Sequence, residues 1–140
     1  MSDDLTEQGL RIFGELMGDQ ARQAMAAGLE GSGFGRDIGK MACQFAFASA
    51  WGRDGLERKY RSLVVISTLI AQRQTSELRN HIRIAINNGL TPREIEEALI
   101  QTLPYIGFPA VASAMTAIIE VLRELGLDTA TATSEERGLL

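Results

Sequence analysis

Apolar side chains recur every three or four residues along almost the whole chain, the spacing that gathers them on one face of an α-helix. No segment alternates apolar and polar residues over the length of a strand, and no Asn-Gly or Asp-Gly turn joins two β-rich runs. The pattern therefore predicts an all-α fold of about seven helices. Their expected ranges are residues 4–17, 20–28, 36–51, 57–72, 76–88, 92–104 and 109–126.

Several helix ends are marked by residues with a known capping role. Thr91-Pro92-Arg93-Glu94 combines a capping threonine, proline at the first helical position and glutamate three residues after the cap. Asn87-Asn88-Gly89 is interpreted as the end of the preceding helix. Four glycines within residues 28–35 predict either a plain loop or a lid.

Length and composition predict a single domain. A chain of 140 residues can bury one substantial core, which we place within residues 1–127. Residues 128–140 are rich in Thr, Ala, Ser and Glu, so we expect a disordered tail there.

Charge and hydropathy exclude several classes of partner. The net charge of −4 and the isoelectric point near 5.0 argue against binding to nucleic acid, which requires clustered Lys and Arg. Apolar runs such as Leu63–Ile66 and Leu69–Ala71 are far shorter than a membrane span. The acidic start of the sequence is unlike a secretory signal, so we expect a cytoplasmic protein.

The one cysteine, Cys43, cannot form a disulfide within the chain. Its apolar helical surroundings favour a small buried hydrophobic residue, and a reactive thiol is the alternative.

The one histidine is the strongest candidate for acid or base chemistry. Glu77 precedes His81 by four residues, so both side chains lie on one face of the predicted fifth helix. A carboxylate beside an imidazole can orient the ring and keep a proton mobile near neutral pH. A purely structural ion pair is the alternative. One histidine and one neighbouring carboxylate are too few ligands for a catalytic zinc, so we predict no metal site.

A set of motifs spread over the middle and the end of the chain resembles the carboxymuconolactone decarboxylase family. The matching residues are Trp51-x-Arg53-x-Gly55-Leu56, Arg61-Ser62-Leu63, Glu77-Leu78-x-x-His81-x-Arg83-x-Ala85-x-Asn87-Asn88-Gly89-x-Thr91-x-x-Glu94-Ile95-x-Glu97 and Gln101-x-x-x-Tyr105-x-Gly107-x-Pro109-Ala110. The resemblance implies a helical fold related to alkylhydroperoxidase D, assembled as a homo-oligomer, a trimer or a hexamer. That relative carries a Cys-x-x-Cys-x-x-x-His redox site, but Gln74, Glu77 and His81 stand at the matching positions here. Thiol peroxidase chemistry needs two sulfurs, so we reject it.

The resemblance also implies an activity, namely cofactor-free decarboxylation of a small carboxylated lactone or a related enolisable acid. His81 would then donate or relay the proton while Glu77 holds its ring. Arg61 and Arg53 are candidates for binding the substrate carboxylate, because a guanidinium can bind it through two hydrogen bonds. Tyr105 is a candidate hydrogen-bond donor to the developing oxyanion. Each of these three also has a structural alternative: a helix cap or subunit bridge for Arg61, a solvated turn for Arg53, and core packing for Tyr105.

Two departures from the family pattern leave the reaction open. Phe45 stands where the decarboxylase pattern has histidine, and Ile106 stands where it has cysteine. A less polar pocket favours two alternatives: an isomerase or cyclase of the same fold, or a non-catalytic oligomer that binds an apolar ligand. Seven helices with this many apolar stripes exceed what one small core can cover, which also predicts association of several copies.

Overall fold

The computed structural model describes residues 2–139, with side chains from residue 4 onward, and this part of the chain forms seven helices and no strand. The helices are α1 (Ser2–Met17), α2 (Asp19–Glu30), α3 (Arg36–Met41, continued by a π-helical segment, Ala42–Trp51), α4 (Arg58–Ala71), α5 (Thr75–Asn87), α6 (Pro92–Ile106) and α7 (Phe108–Glu124). The predicted all-α class and the number of helices are confirmed. The glycine-rich segment becomes a short loop after Glu30, because α2 continues through Gly28.

The chain divides into two compact units, the first up to Arg58 and the second from Lys59 onward. The single domain expected over residues 1–127 therefore remains a prediction. Within residues 2–139, no helix combines the length and the hydropathy needed to cross a membrane.

In the first unit, α1 packs tightly against the π-helical segment. Ile12 and Leu16 of α1 are buried together with Cys43. The approach is closest at Gly9, where an added Cβ would lie 2.1 Å from the carbonyl oxygen of Cys43. The Cys43 thiol donates a hydrogen bond to the carbonyl of Thr6 at 3.3 Å, and burial raises the pKa of the thiol. Cys43 is thus a buried packing residue, as the first interpretation predicted.

The predicted core face of the third helix is wrong in part. The helical spacing in the sequence predicts that Ile38, Met41, Ala42, Phe45 and Ala48 face the core, with Trp51 as a further candidate. Ala48 and Trp51 are buried, but the side chains of Ile38, Met41 and Phe45 are 69%, 67% and 74% exposed. For Phe45 the physical reason is the π-helical winding of Ala42–Trp51, which joins residues five apart and so departs from the 3.6-residue pattern. Ile38 and Met41 lie in the α-helical part before it, where no residue is buried.

In the second unit, a core of aliphatic side chains joins α4 to α7. Its fully buried larger members are Ile66, Ile70, Leu78, Ile82, Ile95 and Val121. Two ion pairs connect α5 to α7 at the edge of this core: Arg79 with Glu120 at 2.8 Å, and Arg83 with Glu124. The predicted capping box is present at the start of α6, where Thr91 and Glu94 each accept a hydrogen bond from the other's backbone N–H.

The disordered tail predicted for residues 128–140 is not what the structure shows for residues 128–139. Arg123 of α7 donates hydrogen bonds to the Glu136 carboxylate and to the carbonyl of Thr131. Thr133 is 4% exposed, and it forms reciprocal backbone-to-side-chain hydrogen bonds with Glu136. The polar composition that suggested disorder instead supplies the side chains that fasten this segment to α7.

Candidate active site

The candidate catalytic histidine lies on α5, in the second unit. Leu78, Ile82 and Ala85 on the same helix are buried in the core, and this fixes the rotation of α5. The side chain of His81 lies beside this buried stripe and is 14% exposed, with Nδ1 completely buried. The ring is therefore held in a largely dry environment and still reaches the surface.

Glu77 lies one turn before His81 on the same face, as predicted. Nε2 of His81 is 3.9 Å from Oε2 of Glu77, and the Glu77 side chain is 61% exposed. This distance is too long for a hydrogen bond, so the carboxylate acts on the ring through its charge. The expectation that Glu77 holds the ring directly is not met in this structure.

Two opposing influences set the protonation of His81. Burial lowers the pKa of the imidazole below its usual value, because the charged form loses hydration. The nearby Glu77 carboxylate raises the pKa, but this effect is the smaller one. The imidazole is therefore mainly neutral at pH 7, and added negative charge beside it would favour its protonated form.

The three predicted substrate-binding residues occupy different settings. Arg61 lies in the first turn of α4, half-buried, in the same unit as His81. Tyr105 lies in the last turn of α6 and is 81% exposed. Arg53 lies in the exposed turn after the π-helical segment, in the first unit. Their substrate-binding roles stay predictions.

A buried polar pair in the second unit was not singled out from the sequence. Ser62 of α4 is fully buried, and the Asn88 side chain donates a hydrogen bond to its hydroxyl at 2.9 Å. The sequence interpretation had treated Asn88 only as part of a helix end. A serine within an otherwise apolar helix face was the available signal. The pair fixes the loop after α5 to α4, next to the helix that carries His81.

The larger cavities of the described residues are lined by other side chains. In the first unit, one of about 810 Å³ lies between α1 and α2, and two of about 620 Å³ and 330 Å³ lie beside α3. In the second unit, one of about 300 Å³ lies between α6 and α7. Charged side chains of both signs line the first, including Arg11, Glu15 and Arg36. Among the described residues, no group of three His, Cys, Asp or Glu side chains is placed to hold a metal ion.

Comparison of the sequence with known proteins supports the family that the motifs indicate. Residues 36–120 match the family described as the carboxymuconolactone decarboxylase family. The chain is 36% identical to a 4-carboxymuconolactone decarboxylase of Acinetobacter baylyi over 121 residues, which is 86% of this chain and 89% of the relative. It is 31% identical to a nitrosuccinic acid decarboxylase of Metarhizium robertsii over 121 residues, 86% of this chain and 83% of the relative. The chain therefore belongs to the carboxymuconolactone decarboxylase family.

Proposed function

We propose that this protein is a carboxy-lyase that removes carbon dioxide from a small carboxylic acid without a cofactor. Two relatives that match 86% of the chain are named as decarboxylases, and their named substrates differ. The property that those two substrates share is therefore the best guide to the chemistry.

Both substrates carry their own electron sink. In nitrosuccinic acid, the carbon that bears one carboxylate also bears a nitro group. In 4-carboxymuconolactone, the corresponding carbon is attached to the carbon–carbon double bond that is conjugated with the lactone carbonyl. When the carbon–carbon bond to the carboxylate breaks, carbon dioxide leaves and the electron pair moves onto the nitro group or the carbonyl oxygen. A proton must then be added to carbon. Both molecules also keep a second carboxylate throughout.

His81 is the proposed proton donor. Its imidazole is mainly neutral in the free protein, because burial lowers its pKa. A substrate with two carboxylates brings negative charge beside the ring, and Glu77 at 3.9 Å adds to it, so the complex favours the imidazolium. The imidazolium then protonates the carbanion and becomes neutral, and solvent returns a proton to the ring through its exposed edge before the next turnover.

Arg61 is the proposed anchor for the carboxylate that the substrate keeps. It lies in the same unit as His81 and is half-buried, and a partly dry guanidinium binds a carboxylate more strongly than one in open water. Tyr105 remains the proposed donor to the developing oxyanion. At 81% exposure its hydroxyl would need bound substrate or another surface to exclude water around it. Arg53 remains a second, weaker candidate for carboxylate binding.

The observation that carries the proposal is a histidine, 14% exposed, with a carboxylate one turn away, in a chain 36% identical to a decarboxylase.

The test is release of carbon dioxide from a panel of lactone acids, nitro acids and β-keto acids. Arg61→Lys should raise KM more than it lowers kcat, since Lys keeps the charge and loses the two-pronged contact. Glu96→Gln, which changes an exposed carboxylate on α6, is the control and should leave both constants unchanged.

A second candidate function is isomerisation or cyclisation by the same proton chemistry. Ile106 favours it, because this apolar side chain packs against the core of the second unit where the decarboxylase pattern has a polar one. The same panel separates the two candidates. An isomerase would consume a substrate and release no carbon dioxide.

A further inference from the structure

The groove of about 810 Å³ in the first unit contains none of the candidate active-site residues. It lies between α1 and α2, and Arg36 and Lys40 of α3 also line it; we call it the α1–α2 groove. Pockets that bind small molecules occupy roughly 300–1,000 Å³, and a few polar or charged groups in them fix the ligand. The α1–α2 groove therefore has the size of a ligand site.

Arg36 and Lys40 bring two positive charges to this groove. They stand four residues apart on α3, so their side chains share one face of that helix. Like charges at this spacing destabilise a helix, and Arg36 also lies in the first turn, where the helix dipole disfavours a cation. Lys40 is half-buried and forms no hydrogen bond or ion pair with a described side chain. A bound dianion would relieve the repulsion between these two cations.

The guanidinium of Arg36 is already held in position. Its Nε donates a hydrogen bond to the carbonyl of Leu29 at 2.9 Å, and its Nη1 donates to Asp37 at 3.1 Å. Asp37 is 88% exposed, so water weakens its attraction for the cation. Nη2 donates to no described atom and keeps its N–H groups for a ligand. Because the backbone carbonyl fixes the side chain, binding an anion costs little further ordering.

The acidic side chains of the α1–α2 groove do not cancel these two charges. Four acids line it, and two of them, Glu15 and Asp19, accept hydrogen bonds from arginines of the same unit. The other two, Glu7 and Glu30, are exposed, and water and salt screen exposed charges. The half-buried cations are screened less, so the groove favours an anion.

Apolar groups line the same groove. Leu10 of α1 and both Ala26 and Leu29 of α2 are half-buried along it. The aliphatic stem of Arg22 lies against α1 at Gly14, where an added Cβ would be 2.9 Å from Cδ of Arg22. These groups favour an organic ligand over an inorganic ion, because apolar surface gains free energy when it leaves water.

We propose that the α1–α2 groove binds a small organic dianion, namely a dicarboxylate with an aromatic or aliphatic body. One carboxylate accepts hydrogen bonds from Nη2 of Arg36, and the other pairs with the Lys40 ammonium. The body of the ligand lies against Leu10, Ala26 and Leu29. Since no candidate active-site residue lines the groove, a ligand bound there takes no part in the decarboxylation.

The first test is calorimetric titration of the protein with phthalate, an aromatic dicarboxylate, at low salt. Wild type should bind it with a Kd of about 1 mM or tighter. Arg36→Gln and Lys40→Gln should each weaken binding by about tenfold or more, because each removes a charged donor. Arg93→Gln, at a 69% exposed cation on α6, is the control and should leave the Kd unchanged. A wild type that does not bind phthalate would overturn the proposal, and so would an unchanged Kd in the Arg36 and Lys40 variants.

Two further ligands and one further variant determine what the groove recognises. Benzoate has a single carboxylate and inorganic phosphate has no apolar body, so each should bind about tenfold more weakly than phthalate. Equal affinity for either one would contradict an organic dianion as the occupant. Arg61→Gln should bind phthalate as wild type does. A loss of binding in that variant would assign phthalate to the candidate active site and overturn the proposal.

Thermal denaturation gives a second measurement, which begins without any ligand. At low salt, Lys40→Gln should raise the Tm of the free protein by about 1–2 °C, because it removes the repulsion from Arg36. An equal or lower Tm would mean that Lys40 serves the stability of the fold and would overturn the proposal. Added phthalate should then raise the Tm of wild type more than that of Lys40→Gln. Equal rises in the two proteins would contradict binding at Lys40.

Discussion

Nε2 of His81 lies 3.9 Å from the carboxylate of Glu77, yet the two side chains differ sharply in exposure, at 14% and 61%. The imidazole is in a dry environment that disfavours its charge, whereas the Glu77 side chain is in contact with water. Glu77 therefore acts on His81 as a nearby negative charge. A bound substrate that brings further negative charge beside the ring would raise the pKa of His81 in the same way.

The first prediction concerns Glu77→Gln and the pH dependence of kcat/KM. If the protonated form of His81 is required, kcat/KM falls as pH rises through the pKa of the ring in the free enzyme. Glu77 raises that pKa, so its replacement should lower it further and move the fall to lower pH. A pH profile of each enzyme on one substrate measures the shift. An unchanged profile, or a move to higher pH, would show that Glu77 does not act on the proton of His81.

Stability should also depend on the protonation of His81. The pKa of His81 is lower in the folded protein than its ordinary value of 6.5 in the unfolded chain, so the unfolded chain binds more protons between the two values. This contribution is fully present above pH 6.5 and is lost as pH falls through the lowered folded value. Denaturant unfolding of wild type and His81→Gln across this range should show a smaller loss of stability in the variant. Equal losses would mean that burial does not disfavour the charged ring.

A matched pair of glycines tests the packing of the first unit. Gly9→Ala should lower the free energy of unfolding by about 2 kcal/mol or more, because the new Cβ would lie 2.1 Å from a backbone oxygen of Cys43. Gly28→Ala meets nothing within 4 Å in the helical part of α2 and should stabilise by roughly 0.5–1 kcal/mol. Chemical denaturation at equal protein concentration measures both. Similar effects of the two substitutions would contradict the close approach of α1 to the π-helical segment.

The capping box of α6 gives a prediction with a conservative control. Thr91→Ala removes the acceptor for the Glu94 N–H and should cost about 1 kcal/mol of stability. Thr91→Ser keeps the hydroxyl and should be close to wild type. A Ser variant as unstable as the Ala variant would assign the effect to the lost methyl group.

The segment that follows α7 should be sensitive to acid. Hydrogen bonds from Arg123 lower the pKa of Glu136 to about 2. The stabilisation is present above the unfolded value of 4.5 and is lost as pH falls toward about 2. The protection of the Thr133 N–H, which donates to Glu136, against amide exchange should fall over that interval, relative to an unstructured amide at the same pH. Glu136→Gln should show fast exchange already at neutral pH, whereas Glu57→Gln, at an exposed carboxylate elsewhere, should not.

The helix ends were predictable because their signals are local. Gly18 and Gly89 adopt the positive φ angles that end helices, and Thr91 caps α6 as its sequence motif indicates. Thr133-x-x-Glu136 is the same capping signal, but it was overlooked beneath a composition typical of disorder. The exposure of Phe45 was not predictable for another reason: the pattern assumes 3.6 residues per turn, and nothing in the sequence indicates a π-helical segment at Ala42.

For the candidate site, the sequence predicts that Glu77 and His81 share a helix face, but it does not predict how far the side chains are buried. A separation of four residues places Glu77 and His81 on one face of any helix. Whether the ring is buried, and whether Tyr105 is covered, depends on how whole helices pack, which local spacing does not determine. Tyr105 matches the family motif, but its side chain is 81% exposed in the single chain. The motif therefore does not predict whether the residue is buried.

The most direct test of the account is carbon dioxide release from 4-carboxymuconolactone and nitrosuccinic acid by wild type and His81→Gln. The account predicts that the wild-type enzyme releases one carbon dioxide per molecule of at least one substrate. It also predicts that His81→Gln, correctly folded by circular dichroism, is slower by about 100-fold to 10,000-fold in kcat. A wild-type enzyme inactive on both substrates, or a His81→Gln rate close to wild type, would contradict it.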